Sequence, residues 1–301
     1  MGTKHEYTIF KGQYKTNVIA RLFLIATYLV SVATLFEIMT STIIPLTAEA
    51  TTNTEPNFTR MIWTTTRSVT AQRDLANTVL GGGGQDTVVF HYGSGQDPTR
   101  AQIDALKQVT RVTDGRKGME FFSLAEIREH APTVKASGFG FISYDLEAGA
   151  SPTAEVSDPL QSIRSAKIIA NEHGIGLQVA PSNAISSGQY ADDIAYRSGR
   201  YHLQSQPKQD DDTTCQIMKN WIDGRVSLFE GVKSGLEGRI TFQVTLTSNP
   251  APGKTVYETA KDCIDKVIPG DVDGVSIWWG GAQFDDGTYK QLLKYIEDRY
   301  S

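Results

Sequence analysis

GFGFISYDL (138–146), DPLQSIRSAKIIANEH (158–173) and GIGLQVAPS (174–182) follow one another with only a short polar connection, and their reading decides the fold. The first run is rich in aromatic and β-branched residues and predicts a strand. The second opens on Asp158-Pro159, a good helix start, and repeats Leu160, Ile163, Ala166, Ile169 and Ala170 on one side. Gly174 ends it, and the third run predicts another strand. Two strands joined by a helical crossover pair in parallel, because a short hairpin cannot return the chain in that direction.

The same alternation extends both ways. Upstream, strands are expected at RMIWTTT (60–66), DTVVFHYG (86–93) and GMEFF (118–122). Between them lie a helical stretch over 68–80, broken by Gly81 to Gly84, and a helix after Asp97-Pro98-Thr99 carrying Ile103, Leu106, Val109 and Val112. Ser123 and Glu126 form a capping-box pattern for a helix over 124–136. Downstream come a short helix near 188–195, the strand RYHLQSQ (200–206), and a helix over about 213–235 carrying Ile217, Trp221 and Leu228. The strand RITFQVTLT (239–247), a helix over 255–268, the strand GVSIWWGG (274–281) and a helix over 287–299 complete the chain. Eight such units in residues 60–301 predict an α/β fold of the (β/α)8, or TIM-barrel, type. An open doubly wound sheet is the alternative, but it would normally carry a ligand-binding turn after its first strand, and none is present.

The first 50 residues read differently. LFLIATYLVSVATLF (22–36) is almost wholly apolar and follows Lys4, Lys11, Lys15 and Arg21; Ala48-Glu49-Ala50 resembles a signal-peptidase site. Residues 1–50 are therefore expected to be a signal peptide or a membrane anchor, with the remainder exported to the cell surface or beyond. Contact with a membrane is expected only through this segment, if it is retained. Residues 51–59 read as a polar linker, with an N-glycosylation pattern at Asn57-Phe58-Thr59.

Composition narrows the function. With 40% hydrophobic and 21% charged residues the chain is globular, and a net charge of -5 argues against nucleic acid as a partner. No metal or cofactor is expected: the four glycines lack the Lys-Ser/Thr ending of a phosphate loop, and the paired aspartates lack calcium-loop spacing. Cys215 and Cys263 do not match a zinc site. In an exported chain they can pair, if the barrel brings their helices together, or remain two buried thiols.

In a barrel of this kind chemistry gathers at the C-terminal ends of the strands. There the fourth strand delivers Asp145 and Glu147, which leave one side of the backbone together with Ser143, while Tyr144 and Leu146 face the helices. Adjacent carboxyls raise the pKa of at least one of them, so that a protonated Glu147 could serve as an acid. A solvated strand end with an acidic pair is the plainer alternative. Trp63, Tyr92, Trp278 and Trp279 also fall near strand ends. Flat rings of this kind suit sugar faces, and the amides of Asn183, Gln204 and Gln243 suit hydroxyls. Core packing explains each tryptophan equally well. Tyr92, Asn183, Gln204, Gln243 and Trp278 are the expected contacts to a carbohydrate ligand.

The fourth strand resembles the D-x-x-D-x-D-x-E signature of family 18 glycoside hydrolases, the chitinases and endo-β-N-acetylglucosaminidases. Asp145 and Glu147 match its last two acids, whereas Gly140 and Ser143 stand at the first two. GVSIWW is similar to the family's last strand, while Gln204 and Gln206 stand where it usually has a Tyr-Asp pair. The resemblance implies Glu147 as general acid/base. It also implies Asp145 as the group orienting a 2-acetamido substituent whose own oxygen is the nucleophile. A non-catalytic carbohydrate-binding barrel, or a surface or envelope barrel protein, is the alternative that the missing acids suggest.

Overall fold

The structure, a computed structural model, describes residues 59–64, 69–80, 86–91, 100–188, 200–211, 214–230, 239–246, 249–268, 272–279 and 286–300. The chain divides into two units, Met1–Thr54 and Glu55–Ser301, and all the described residues belong to the second. The expected leader or anchor (1–50), the linker (51–59), Tyr92 and the helix near 188–195 thus lie outside the described residues, apart from Thr59 and Gly188. Among the described residues no helix is long and apolar enough to cross a membrane.

Eight parallel strands close into a barrel in simple sequence order: β1 (Thr59–Thr64), β2 (Thr87–His91), β3 (Lys117–Phe121), β4 (Phe141–Tyr144), β5 (Gly176–Val179), β6 (Arg200–Leu203), β7 (Arg239–Thr245) and β8 (Gly274–Trp279). Closure is direct, with β1 paired to β8 over six residues from Thr59 opposite Gly274 to Thr64 opposite Trp279. The described helices are α1 (Val69–Val79), α2 (Arg100–Lys107), α3 (Leu124–Ala136), α4 (Thr153–Ser157), α5 (Pro159–Glu172), α6 (Asn183–Ser186), α7 (Gln206–Asp211), α8 (Gln216–Glu230), α9 (Val256–Val267) and α10 (Asp286–Tyr300). The expected barrel is what forms; an open sheet is excluded by the β1–β8 pairing.

Local signals place the helices as chemistry requires. Ser123 caps α3 by accepting from the Glu126 amide, and Glu126 returns the bond to the Ser123 amide. Thr255 and Glu258 do the same for α9. Asp158 caps α5, with Pro159 at its first position, and that helix buries Ile163, Ala166, Ile169 and Ala170 against the sheet.

The strand period of two sorts the rest. Val88, Phe90, Met119, Phe121, Ile142, Tyr144, Leu177, Val179, Phe242, Val244, Val275 and Ile277 all join the large cluster between sheet and helices. Their alternates point into the barrel, where a small apolar group of Met61, Val89, Phe141 and Ala180 adjoins buried Ser143, Gln178, His202, Thr241, Gln243 and Ser276. All of these polar groups but Gln243 find partners among themselves. The His202 ring bridges Thr241 Oγ1 (Nδ1, 2.8 Å) and Ser276 Oγ (Nε2, 3.2 Å), and Gln178 Nε2 donates to Ser143 Oγ at 3.1 Å.

Two expectations need correction. On α8 the buried face is Met218, Ile222 and Val226, whereas Ile217 and Leu228 are 46% and 37% exposed. Cys215 sets that phase: just before the helix, it is bonded to Cys263 on α9, with Cα atoms 5.1 Å apart. And β6 stops at Leu203, so Gln206 opens α7 instead of ending a strand.

Candidate functional site

Asp145 directly follows β4 and continues its ladder, donating its amide to Phe121 O at 2.9 Å. It therefore keeps the inward direction of Ser143, and its side chain is buried at the C-terminal mouth of the barrel. Gln204, just past β6, donates Nε2 both to Asp145 Oδ1 at 2.7 Å and to Ala180 O at 2.9 Å. One amide group thus spans the mouth between β4, β5 and β6. Tyr144 points outward as expected, its hydroxyl donating to Glu155 on α4 at 2.6 Å.

Glu147 does not lie on the strand. Its carbonyl accepts from the amides of Ala150 (3.2 Å) and Ser151 (2.8 Å), and its amide donates to Ser151 Oγ at 3.0 Å. Ser151 Oγ in turn donates to Asp145 O at 3.0 Å. Gly149, at φ 93°, supplies the left-handed residue that this tight turn requires. The turn fixes the Glu147 backbone while leaving its side chain partly exposed. Beside it, a cleft of about 410 Å³ opens between the Phe122–Glu126 and Gly149–Thr153 segments. A depression of about 530 Å³ near Thr214, Lys254 and Lys266 carries none of the mouth acids.

A third acid belongs to the mouth and was not anticipated. Glu120, the inward residue of β3, is fully buried and stands opposite Ser143 in the β3–β4 register. Its carboxyl lies close enough to that of Asp145 to disfavour the charge there. The Asp145 carboxyl is pushed well above the ordinary carboxylate range. Burial is the largest cause, then the charges of Glu120 and Glu147, then the Glu120 hydrogen bond; the Gln204 bond opposes them. Burial and the neighbouring acids thus favour the protonated form of Asp145. In the sequence the signal for Glu120 was an acid at an inward position, between Met119 and Phe121, in a strand buried on both faces.

The departures from the glycosidase pattern also have structural causes. A Cβ on Gly140 would sit 2.0 Å from the Gly115 carbonyl oxygen, so no acid fits there. Ser143 bonds Gln178, not Asp145.

Of the other expected contacts, Asn183 opens α6 above β5, and both polar atoms of its side chain are buried with no hydrogen-bond partner among the described residues. Gln243 is buried on β7, and its Oε1 likewise has no partner among the described residues. Trp278, opposite Trp63 and Thr245 in the register, is partly exposed. Tyr92 lies outside the described residues, as do the side chains of Trp63 and Trp279. Among the described residues no group of three His, Cys, Asp or Glu could hold a metal ion.

The fold defines a TIM-barrel-like protein with acids at the C-terminal ends of its strands. Comparison with solved structures agrees on the fold. The chain is similar to the spore cortex-lytic enzyme SleL of Bacillus megaterium QM B1551, at TM-score 0.50 and 12% identity, over 81% of this chain and 75% of that one. It is also similar to a thiamine phosphate pyrophosphorylase from Pyrococcus furiosus (TM-score 0.46, 12% identity, 81% and 97%). The carboxyl transferase domain of Rhizobium etli pyruvate carboxylase gives TM-score 0.44 and 10% identity; 74% of this chain covers only 40% of that one. No family model matches the chain, and no curated protein matches it by sequence.

Proposed function

We propose that this chain is an exported, glycoside hydrolase-like barrel acting on polysaccharide or glycan at the cell surface or outside the cell. The observation that carries the reading is the placement of Asp145 and Glu147 together at the mouth, one buried and clamped by Gln204, the other on a fixed turn reaching solvent. Glu147 is positioned to protonate a leaving glycosidic oxygen, and Asp145 to orient a neighbouring substituent of the sugar, as the family 18 resemblance implies. Asn183 and Gln243 offer buried amide atoms that a polar ligand would satisfy, and Trp278 a ring for a sugar face. Cortex lysis by a protein of the same fold is in keeping with this reading. Glu147→Gln should abolish release of reducing ends from a glycan that the unaltered chain cleaves. Unchanged release would end the proposed mechanism.

A second reading is a carbohydrate-binding barrel without turnover. It is favoured by the steric closure at Gly140, which bars the first acid of the signature. Glycan-array binding by the full-length chain without reducing-end release would select it.

A further inference from the structure

The third carboxyl at the mouth has no counterpart in the fourth-strand signature, and its setting is specific. Glu120 enters from β3 at the level of Ser143, is wholly buried, and reaches Asp145 on the next strand. Two carboxyls in contact inside a protein cannot both remain ionised, because neither has water to spread its charge and each repels the other. A hydrogen bond between them needs one proton. Gln204 cannot supply it: its Nε2 is committed to Asp145 Oδ1 and Ala180 O.

We infer that Glu120 is a positioning residue of the site, which shares a single proton with Asp145 and thereby fixes the direction and charge of that carboxyl at the mouth. The pair then carries one negative charge, divided across β3 and β4, and Asp145 meets a ligand as a hydrogen-bonded acid. The role of this arrangement in turnover rests on the hydrolase reading; the proton sharing does not. Among the described residues three groups face Asp145. β3 contributes Glu120, the following turn Glu147, and β6 the neutral amide of Gln204. Deeper in the barrel His202 is held uncharged by burial and bonded to Thr241 and Ser276, and Arg200 lies over the Phe141 ring.

Infrared difference spectroscopy of the full-length chain tests this, because it reads the carbonyl band of protonated carboxyls as pH is stepped. The unaltered protein should keep such a band well above the ordinary carboxylate range, and Asp145→Asn should lack it. In Glu120→Gln, which keeps size and shape, the midpoint should fall by about one pH unit or more, the scale of strongly interacting sites. Glu120→Asp, with its carboxyl drawn back, should fall in between, and it serves as the variant to read if Glu120→Gln does not fold. A merely structural Glu120 would change the melting temperature and leave the midpoint in place. An unmoved midpoint in both variants overturns the inference, as does the lack of any such band in the unaltered protein. No substrate is needed for this measurement. A chain that passes it and releases no reducing ends therefore counts against the hydrolase reading alone.

Discussion

Acidification from pH 7 to pH 5 should destabilise the barrel through His202, and the size of the loss follows from its burial. The ring lies inside the barrel with no exposure, and burial pushes its pKa down from 6.5 to about 3. Below pH 6.5 the unfolded chain binds a proton at this histidine that the folded chain refuses. Stability is therefore complete above 6.5 and is lost as pH falls toward about 3. Each pH unit of displacement is worth about 1.4 kcal/mol. Integrated over the window, the loss is roughly 2 kcal/mol at pH 5 and roughly 3 kcal/mol at pH 4. Asp145 acts in the opposite sense. Its folded pKa lies above 3.8, so the folded state holds a proton that the unfolded state releases, and its contribution falls as pH rises through that window. A comparison isolates the histidine, because Asp145 is common to both proteins. Urea unfolding of the full-length chain and of His202→Gln at pH 7 and pH 5 gives the two differences. Glutamine offers one donor and one acceptor, as the neutral ring does to Thr241 and Ser276. The variant should lose about 2 kcal/mol less than the unaltered chain between these pH values. Equal losses would refute the assignment, as would a nuclear magnetic resonance titration placing His202 near 6.5.

Two further outcomes concern the scaffold. Gly140→Ala should destabilise by about 3 kcal/mol, because its methyl would meet the Gly115 carbonyl and force the strand apart; an unchanged melting temperature would refute the close approach. The Cys215–Cys263 bond closes a 48-residue separation, for which chain entropy gives about 4 kcal/mol, so reductant should lower urea-unfolding stability by that order. The Cys215→Ser/Cys263→Ser pair should show the same loss and no further response to reductant, and an intact protein indifferent to reductant would contradict the link.

What could be read in the sequence, and what could not, divides along a physical line. β4, α5 and β5 were legible because cap, period and terminator agree: Asp158 and Pro159 at the start, Ile163, Ala166, Ile169 and Ala170 on one face, Gly174 at the end. The α8 segment was misread because it carries large apolar residues around much of its circumference, so periodicity alone could not choose between Ile217 with Leu228 and Met218 with Ile222. The choice is tertiary, made by Cys215 and α9. Asp145 could be placed because direction propagates along a strand; Glu147 could not, because the strand ends at Tyr144 and the turn to Ser151 sets its position. Glu120 was missed because a site assembled from neighbouring strands has no spacing in the sequence.

The barrel distributes its stability unevenly between its shell and its interior. The apolar shell between sheet and helices runs from Leu75 to Ile296, whereas among the described residues the interior apolar cluster is Met61, Val89, Phe141 and Ala180. Burial in the shell can therefore stabilise the fold, while the interior must at least satisfy its polar groups in order not to destabilise it. His202 with Thr241 and Ser276, and Gln178 with Ser143, meet that condition with neutral partners. Glu120 and Asp145 do not, since two acids in contact need a shared proton to be tolerated. A chain under selection for stability alone gains nothing from such a pair, because apolar residues of similar volume would cost less. Its presence at the mouth, beside Glu147, fits the proposed polar ligand and is not required by the fold.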